Sequence, residues 1–89
     1  MKHPKWINNY EENFEKLANE IGDLRYDSLE FFLSLLSDKI KRDSIKDSER
    51  QRTQLAKSLE RCSQNLKAAS ENIKEAWRIS KPFMNPPDL

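Results

Sequence analysis

The sequence predicts an all-α protein, and three observations carry that expectation. Breakers are few and absent from the middle of the chain: glycine occurs once, at Gly22, and proline at Pro4 and then only from Pro82 onward. Residues 23–81 therefore lack the residues that end helices and build hairpin turns, which a sheet protein needs every few positions. Apolar residues recur at spacings of three and four. The longest such ladder is Leu55, Leu59, Cys62, Leu66, Ala69, Ile73 and Ala76, the seam pattern of a long helix meeting a partner helix.

A first helix is expected over about residues 4–21. Pro4 suits the first helical turn, and Ile7, Tyr10, Phe14, Leu17 and Ile21 share a face with Trp6 beside them. Gly22-Asp23 reads as its stop, because glycine tolerates the left-handed cap. A second helix is expected over 28–43. Asp27-Ser28-Leu29-Glu30 has the form of a capping box, and Leu29, Phe32, Leu33, Leu36 and Ile40 follow. Lys39, Lys41 and Arg42 crowd the far end, where cations favour the negative pole of the helix.

A third helix is expected over 48–80, ended by Pro82. A turn within 43–48 is inferred because 41–54 is polar apart from Ile45. The stripe also changes phase, since Leu55 lies about 80° round from Leu29 at 100° per residue. Ser48-Glu49-Arg50-Gln51 repeats the capping-box pattern. At 1.5 Å per residue the third helix spans about 50 Å and the first two about 27 Å each. Two packings fit: a long antiparallel hairpin with the first two helices end to end along the third, or a three-helix bundle with one long C-terminal helix. Residues 1–81 read as a single helical domain, and 82–89 as an extended C-terminal tail.

Composition narrows the function. At 89 residues the chain makes one thin-cored domain. Hydrophobic residues are 36% and charged residues 35%, with a net charge of +1, which is too balanced for a polyanion-binding tail. The N-terminus leads into polar residues, unlike a signal peptide. The most apolar window, Leu29 to Leu36, is far short of the roughly 20 residues a bilayer requires. A single cysteine, Cys62, forms no internal disulfide, so a reducing compartment and a cytoplasmic location are expected.

Chemistry is hard to assemble from these residues. One glycine does not build a phosphate-cradling loop. His3 and Cys62 are the lone histidine and cysteine, too few for structural zinc or a His-centred dyad. Cys62 sits on the ladder, where it is expected to act as a small buried apolar residue. The carboxylates, including Glu11/Glu15 and Asp43/Asp47, alternate with Lys and Arg as solvated helix surfaces do. No catalytic, metal or cofactor site is expected, and no enzyme.

Contact surfaces are the informative remainder. Leu29, Leu33, Leu36 and Ile40 share one face of the second helix, while Phe31 and Leu35 lie nearly opposite. A helix apolar on both sides is covered on both sides, here by the first helix or by a second copy of the chain. The expectation is a homodimer that buries Phe31 and Leu35, with Arg42 at its edge. Trp6, Trp77, Phe83 and Met84 are expected to meet at the open end of a hairpin, as a closing aromatic cluster or as an exposed docking patch. Residues 38–57 carry seven basic and four acidic side chains. Lys39, Lys41, Arg42, Lys46, Arg50, Arg52 and Lys57 thus make the second turn basic, but without the one-sided excess or stacking aromatics of a nucleic-acid footprint. The sequence therefore points to a small adaptor, regulatory or assembly module. A nucleic-acid-associated regulator using the basic turn, and an immunity or antitoxin-like binding protein, are the alternatives.

Overall fold

The computed structural model describes residues 3–83. Three helices follow in order, α1 (Phe14–Gly22), α2 (Tyr26–Glu49) and α3 (Thr53–Ser80), and a single 3-10 turn (Lys81–Phe83) ends the description. The all-α expectation is met: the described residues hold helices and no strand. The body is an antiparallel hairpin of α2 and α3, whose lengths nearly match at 24 and 28 residues. Helix α2 alone therefore pairs with α3, and the end-to-end arrangement of two short helices is not used.

The first helix starts ten residues later than expected. Asn9 and Glu12 have φ of 75° and 57°, in the left-handed region that breaks a helix and is costly for residues with a Cβ. Helix α1 begins only where Asn13 can cap it, its side chain accepting from the Lys16 N–H at 3.3 Å. Its end does not use a left-handed glycine. Gly22 is the last helical residue, and Asp23 caps in an ordinary right-handed conformation.

Neither expected capping box forms. Helix α2 starts at Tyr26, two residues early. Asp27 lies in its first turn, where its carboxylate accepts from the Arg25 side chain at 2.6 and 2.8 Å and from the Ser28 N–H at 2.9 Å. Further on, α2 runs straight through 43–48, and the turn falls at 50–52. Gln51 takes a φ of 63°. Its N–H donates to the Ser48 carbonyl at 3.0 Å, and the Arg52 N–H donates to that of Asp47 at 2.8 Å. This is a Schellman ending, with glutamine in the place glycine usually holds. Ser48 and Glu49 thus finish α2 instead of starting α3.

The polar stretch that suggested a break is helical because the hairpin seam itself is polar. The buried residues are Ser37 and Ser44 on α2, and Ala56, Ser63 and Ser70 on α3. They recur every seven residues and face one another in fixed register. Ser37 donates to the Ser63 carbonyl at 2.7 Å, and Ser63 returns a bond to the Ser37 carbonyl at 3.0 Å. Ser44 donates to the Ala56 carbonyl at 2.8 Å, and Ser70 to that of Glu30 at 3.0 Å. So short a side chain reaches a carbonyl on the next helix only when the axes lie near the lower end of the usual 8–10 Å.

The apolar ladder of α3 is therefore not the seam. Each seam residue follows a ladder residue by one position, about 100° round the helix. Leu55 and Cys62 are exposed, and Leu59, Leu66, Ala69, Ile73 and Ala76 are half-buried. The expectation of a buried Cys62 is corrected for the same reason: Ser63 beside it takes the inward position.

With the seam facing inward on both helices, the hairpin has two unlike broad faces. Leu29, Leu33, Leu36 and Ile40 fall on the same face as the α3 ladder. Lys41 pairs with Glu60 at 3.1 Å, and Lys67 donates to Ser34 at 3.3 Å, across the other. Residues 3–25 form an arm that doubles back. His3 is close enough to Asp43 for its charge to act there, so the arm begins beside the second half of α2. Within the arm, Trp6 meets Phe14 edge-on at 5.0 Å and Tyr10 donates to Glu20.

A leucine at a seam position would stabilise an ordinary coiled coil but must push these helices apart. Ser63→Leu is expected to cost about 1–3 kcal/mol in chemical unfolding through overpacking. Ser63→Ala should cost about 1 kcal/mol or less, since the Ser37 carbonyl lies within a helix and Ala fits. A stabilising Ser63→Leu would contradict the small-residue seam.

Candidate interaction surface

The seam fixes the rotation of α2 and thereby its outer edge. With Ser37 and Ser44 pointing at α3, the residues about half a turn away point outward. These are Phe31, Phe32 and Leu35, exposed at 65%, 38% and 50%. They form one strip on the first half of α2, with Leu24 and Tyr26 also exposed just before and at its start. Exposed apolar area of this kind amounts to about 300 Å², at the lower end of the range for the largest apolar patch on a monomer. Helix α1 leaves Phe31 and Leu35 uncovered, which removes one of the two expected covers.

Beyond Leu35 the same edge becomes charged, with Lys39, Arg42 and Lys46 running toward the turn. Arg42 and Lys46 are exposed. Lys39 donates to Asp43 at 2.5 Å. That bond, helped by the charges of Lys46 and His3, holds the Asp43 carboxyl below its ordinary 3.8. Asp27 is lowered in the same way by its hydrogen bonds from Arg25, and Glu75 by Arg78. In the arm, the bond from Tyr10 to Glu20 favours the protonated phenol and raises its pKa.

The expected basic patch does not gather on one face. Lys39 meets Asp43, Lys41 meets Glu60 across the hairpin, and Arg52 meets Asp47 at 3.4 Å. Arg50 and Lys57 are exposed near the turn. The seven residues are thus spread over the outer edge, one broad face and the tip, with carboxylates between them.

The expected aromatic cluster is also dispersed. Trp6 is held by Phe14, on an arm whose start lies toward the second half of α2, away from the open end. Trp77 is half-buried at the open end beneath the Arg25 guanidinium, 5.6 Å from the ring centre, with Lys81 at 5.9 Å. Phe83 is 83% exposed. Met84 and the rest of the expected tail lie outside the described residues.

Phe32 is the member of the strip that sequence reasoning placed on the inner face. The seven-residue recurrence of Ser37 and Ser44, opposite Ala56, Ser63 and Ser70, is the signal that would have moved it outward. Among the described residues no group of His, Cys, Asp and Glu is placed to hold a metal ion, and no helix is long and apolar enough to cross a membrane.

Comparison with models of protein families, with curated proteins and with solved structures finds no match to this chain.

The lowered Asp43 pKa has a definite sign. A depressed carboxyl stabilises the fold above its unfolded value near 3.8, and that contribution is lost as pH falls through the folded value. In thermal melts from pH 7 downward, Asp43→Asn should melt below the wild type above about pH 4, and the gap should narrow as pH falls further. A gap that does not narrow below pH 4 would show that the pair with Lys39 is not its source.

Proposed function

We propose that the protein is a non-catalytic protein–protein interaction module, an adaptor or assembly factor that works as a homodimer. The observation that supports this reading most is the open strip of Phe31, Phe32 and Leu35, held outward by a hairpin that cannot turn it in. Aromatic and aliphatic anchors of this kind supply most of the affinity of protein interfaces. The described body is elongated, a hairpin of 24- and 28-residue helices, and the Cα radius of gyration is 16.0 Å, against about 12 Å for a compact chain of this length.

A nucleic-acid reading has less support, because the carboxylates paired with Lys39, Lys41 and Arg52 weaken any polyanion footprint. Retention on heparin at physiological salt would favour it. An immunity or antitoxin-like role would use the same strip on a different protein and leave the chain monomeric when pure.

Light scattering tests the reading. The wild type is expected at twice the chain mass of 10.6 kDa at high micromolar concentration. The double substitution Phe31→Ser/Leu35→Ser should weaken the dimer by about a hundredfold or more, the loss of roughly 3 kcal/mol, while leaving helicity by circular dichroism unchanged. A wild type that stays at the chain mass at several hundred micromolar would overturn the homodimer.

A further inference from the structure

We infer that residues 3–25 are a releasable strap over one broad face of the hairpin, and that the partner this face takes when the strap lifts is an amphipathic helix. The face is distinct from the outer strip of α2, so the inference does not depend on the homodimer reading.

Burial locates the strap. The seam runs through Glu30, Ser37 and Ser44 on α2 and Ala56, Ser63 and Ser70 on α3. The residues just after and just before a seam position sit about 100° to either side of it, so a bare hairpin would expose the two sets alike. The residues just after are all exposed: Phe31, Asp38 and Ile45 on α2, and Lys57, Gln64 and Glu71 on α3. Those just before are not. Leu29, Leu36 and Asp43 of α2 and Ala69 of α3 are half-buried, whereas Leu55 and Cys62, toward the turn, are open. Residues 3–25 supply the cover. His3 lies beside Asp43, and the arm ends at Arg25, over the ring of Trp77. About 27 Å of α2 separates Asp43 from Arg25 at the α-helical rise. Along the arm Trp6, Tyr10, Leu17 and Ile21 are half-buried.

Between Arg25 and Asp43 the covered face carries no charge. Leu29, Leu33, Leu36 and Ile40 form its α2 side. Every Lys, Arg and Glu of α3 projects instead to the other face or to the outer edge. Solvated helix faces alternate their charges, so an uncharged face of this length suits the apolar stripe of another helix. Helix α1 shows the pattern that fits: Leu17 and Ile21 are half-buried, and Glu15, Lys16 and Glu20 are exposed.

The cover is weakly held. No residue of α1 is buried, and α1 runs close to neither α2 nor α3 along its length. Ile7 and Phe14 stay exposed at 52% and 46%. Left-handed Asn9 and Glu12 are costly to hold, and a helix of 9 residues is marginal without a surface to lie on. The contacts of Trp6 with Phe14 and of Tyr10 with Glu20 fall within the arm and travel with it. Such a segment opens while the rest of the fold stays closed.

Thiol reactivity reads the cover in the full chain. Ala68 is exposed and Ala69 half-buried, so Ala68→Cys and Ala69→Cys, each made with Cys62→Ser, flank its edge. Toward an aromatic disulfide reagent, Ala69→Cys is expected to react at least fivefold more slowly. Adding Leu17→Ser/Ile21→Ser should bring its rate to within twofold of Ala68→Cys, with hydrogen exchange in the middle of α2 and α3 unchanged. In the chain without those two changes, α1 amides should exchange at least tenfold faster than those around Ser37 and Ser63. A synthetic peptide of residues 3–25 at about 1 mM, the effective concentration of a short tether, should slow the loosened Ala69→Cys at least twofold. Equal rates at the two cysteines, or an Ala69→Cys rate untouched by the α1 changes, would overturn the strap. Amides of α1 as slow as those of the seam, or α2 and α3 loosened by the same changes, would overturn its release. No protection by the peptide would overturn the helix-binding face.

Discussion

The structure depends on the close approach of α2 and α3 along a seam of serine. Ser37 and Ser63 exchange hydrogen bonds with each other's carbonyls, and Ser44 and Ser70 repeat the contact one heptad to either side. Serines in helices commonly bond within their own helix. Here they bridge helices, and small size matters as much as polarity, because Ala56 fills a seam position with no hydroxyl at all. The seam sets the register, the rotation of both helices and so the identity of every outward residue.

This choice leaves the fold with little apolar burial. Ala56 is the one hydrophobic residue buried outright among the described residues, whereas a fully buried leucine contributes about 1.5–3 kcal/mol. Beside the seam Leu33, Leu36, Ile40, Leu59, Leu66 and Ile73 are half-buried, Ile45 and Leu55 are exposed, and the strip of Phe31, Phe32 and Leu35 is open. A chain of this size has a small margin of stability in any case. In the proposed homodimer function and stability would be linked, because covering the outer edge of α2 would supply burial that the hairpin alone lacks.

The helical class was legible because breakers are absent from 23–81 and apolar residues recur at three and four. Phe31 and Leu35 were legible as a second apolar face for the same reason. The seam was not, because the apolar ladder of α3 is more conspicuous than the small residues Ala56, Ser63 and Ser70, which follow Leu55, Cys62 and Ala69 by one position. Following leucines instead of small residues rotated the expected contact by about 100°. That error buried Cys62 and turned Phe32 inward. The turn was misplaced because polarity at 41–49 looked like a break, when Ser44 there is the contact itself. The late start of α1 was hidden too, since left-handed Asn9 and Glu12 interrupt a stretch whose apolar spacing still reads as a helix.

The most direct measurement of the central claim is a set of proton–proton contacts from nuclear magnetic resonance across α2 and α3. The account predicts strong contacts between the β-protons of Ser37 and Ser63, whose oxygens lie 3.2 Å apart, and between Ser44 and Ala56. Solvent-exposed serines, with Leu55 and Cys62 of α3 instead in contact with Leu36 and Ile40 along the seam, would contradict it.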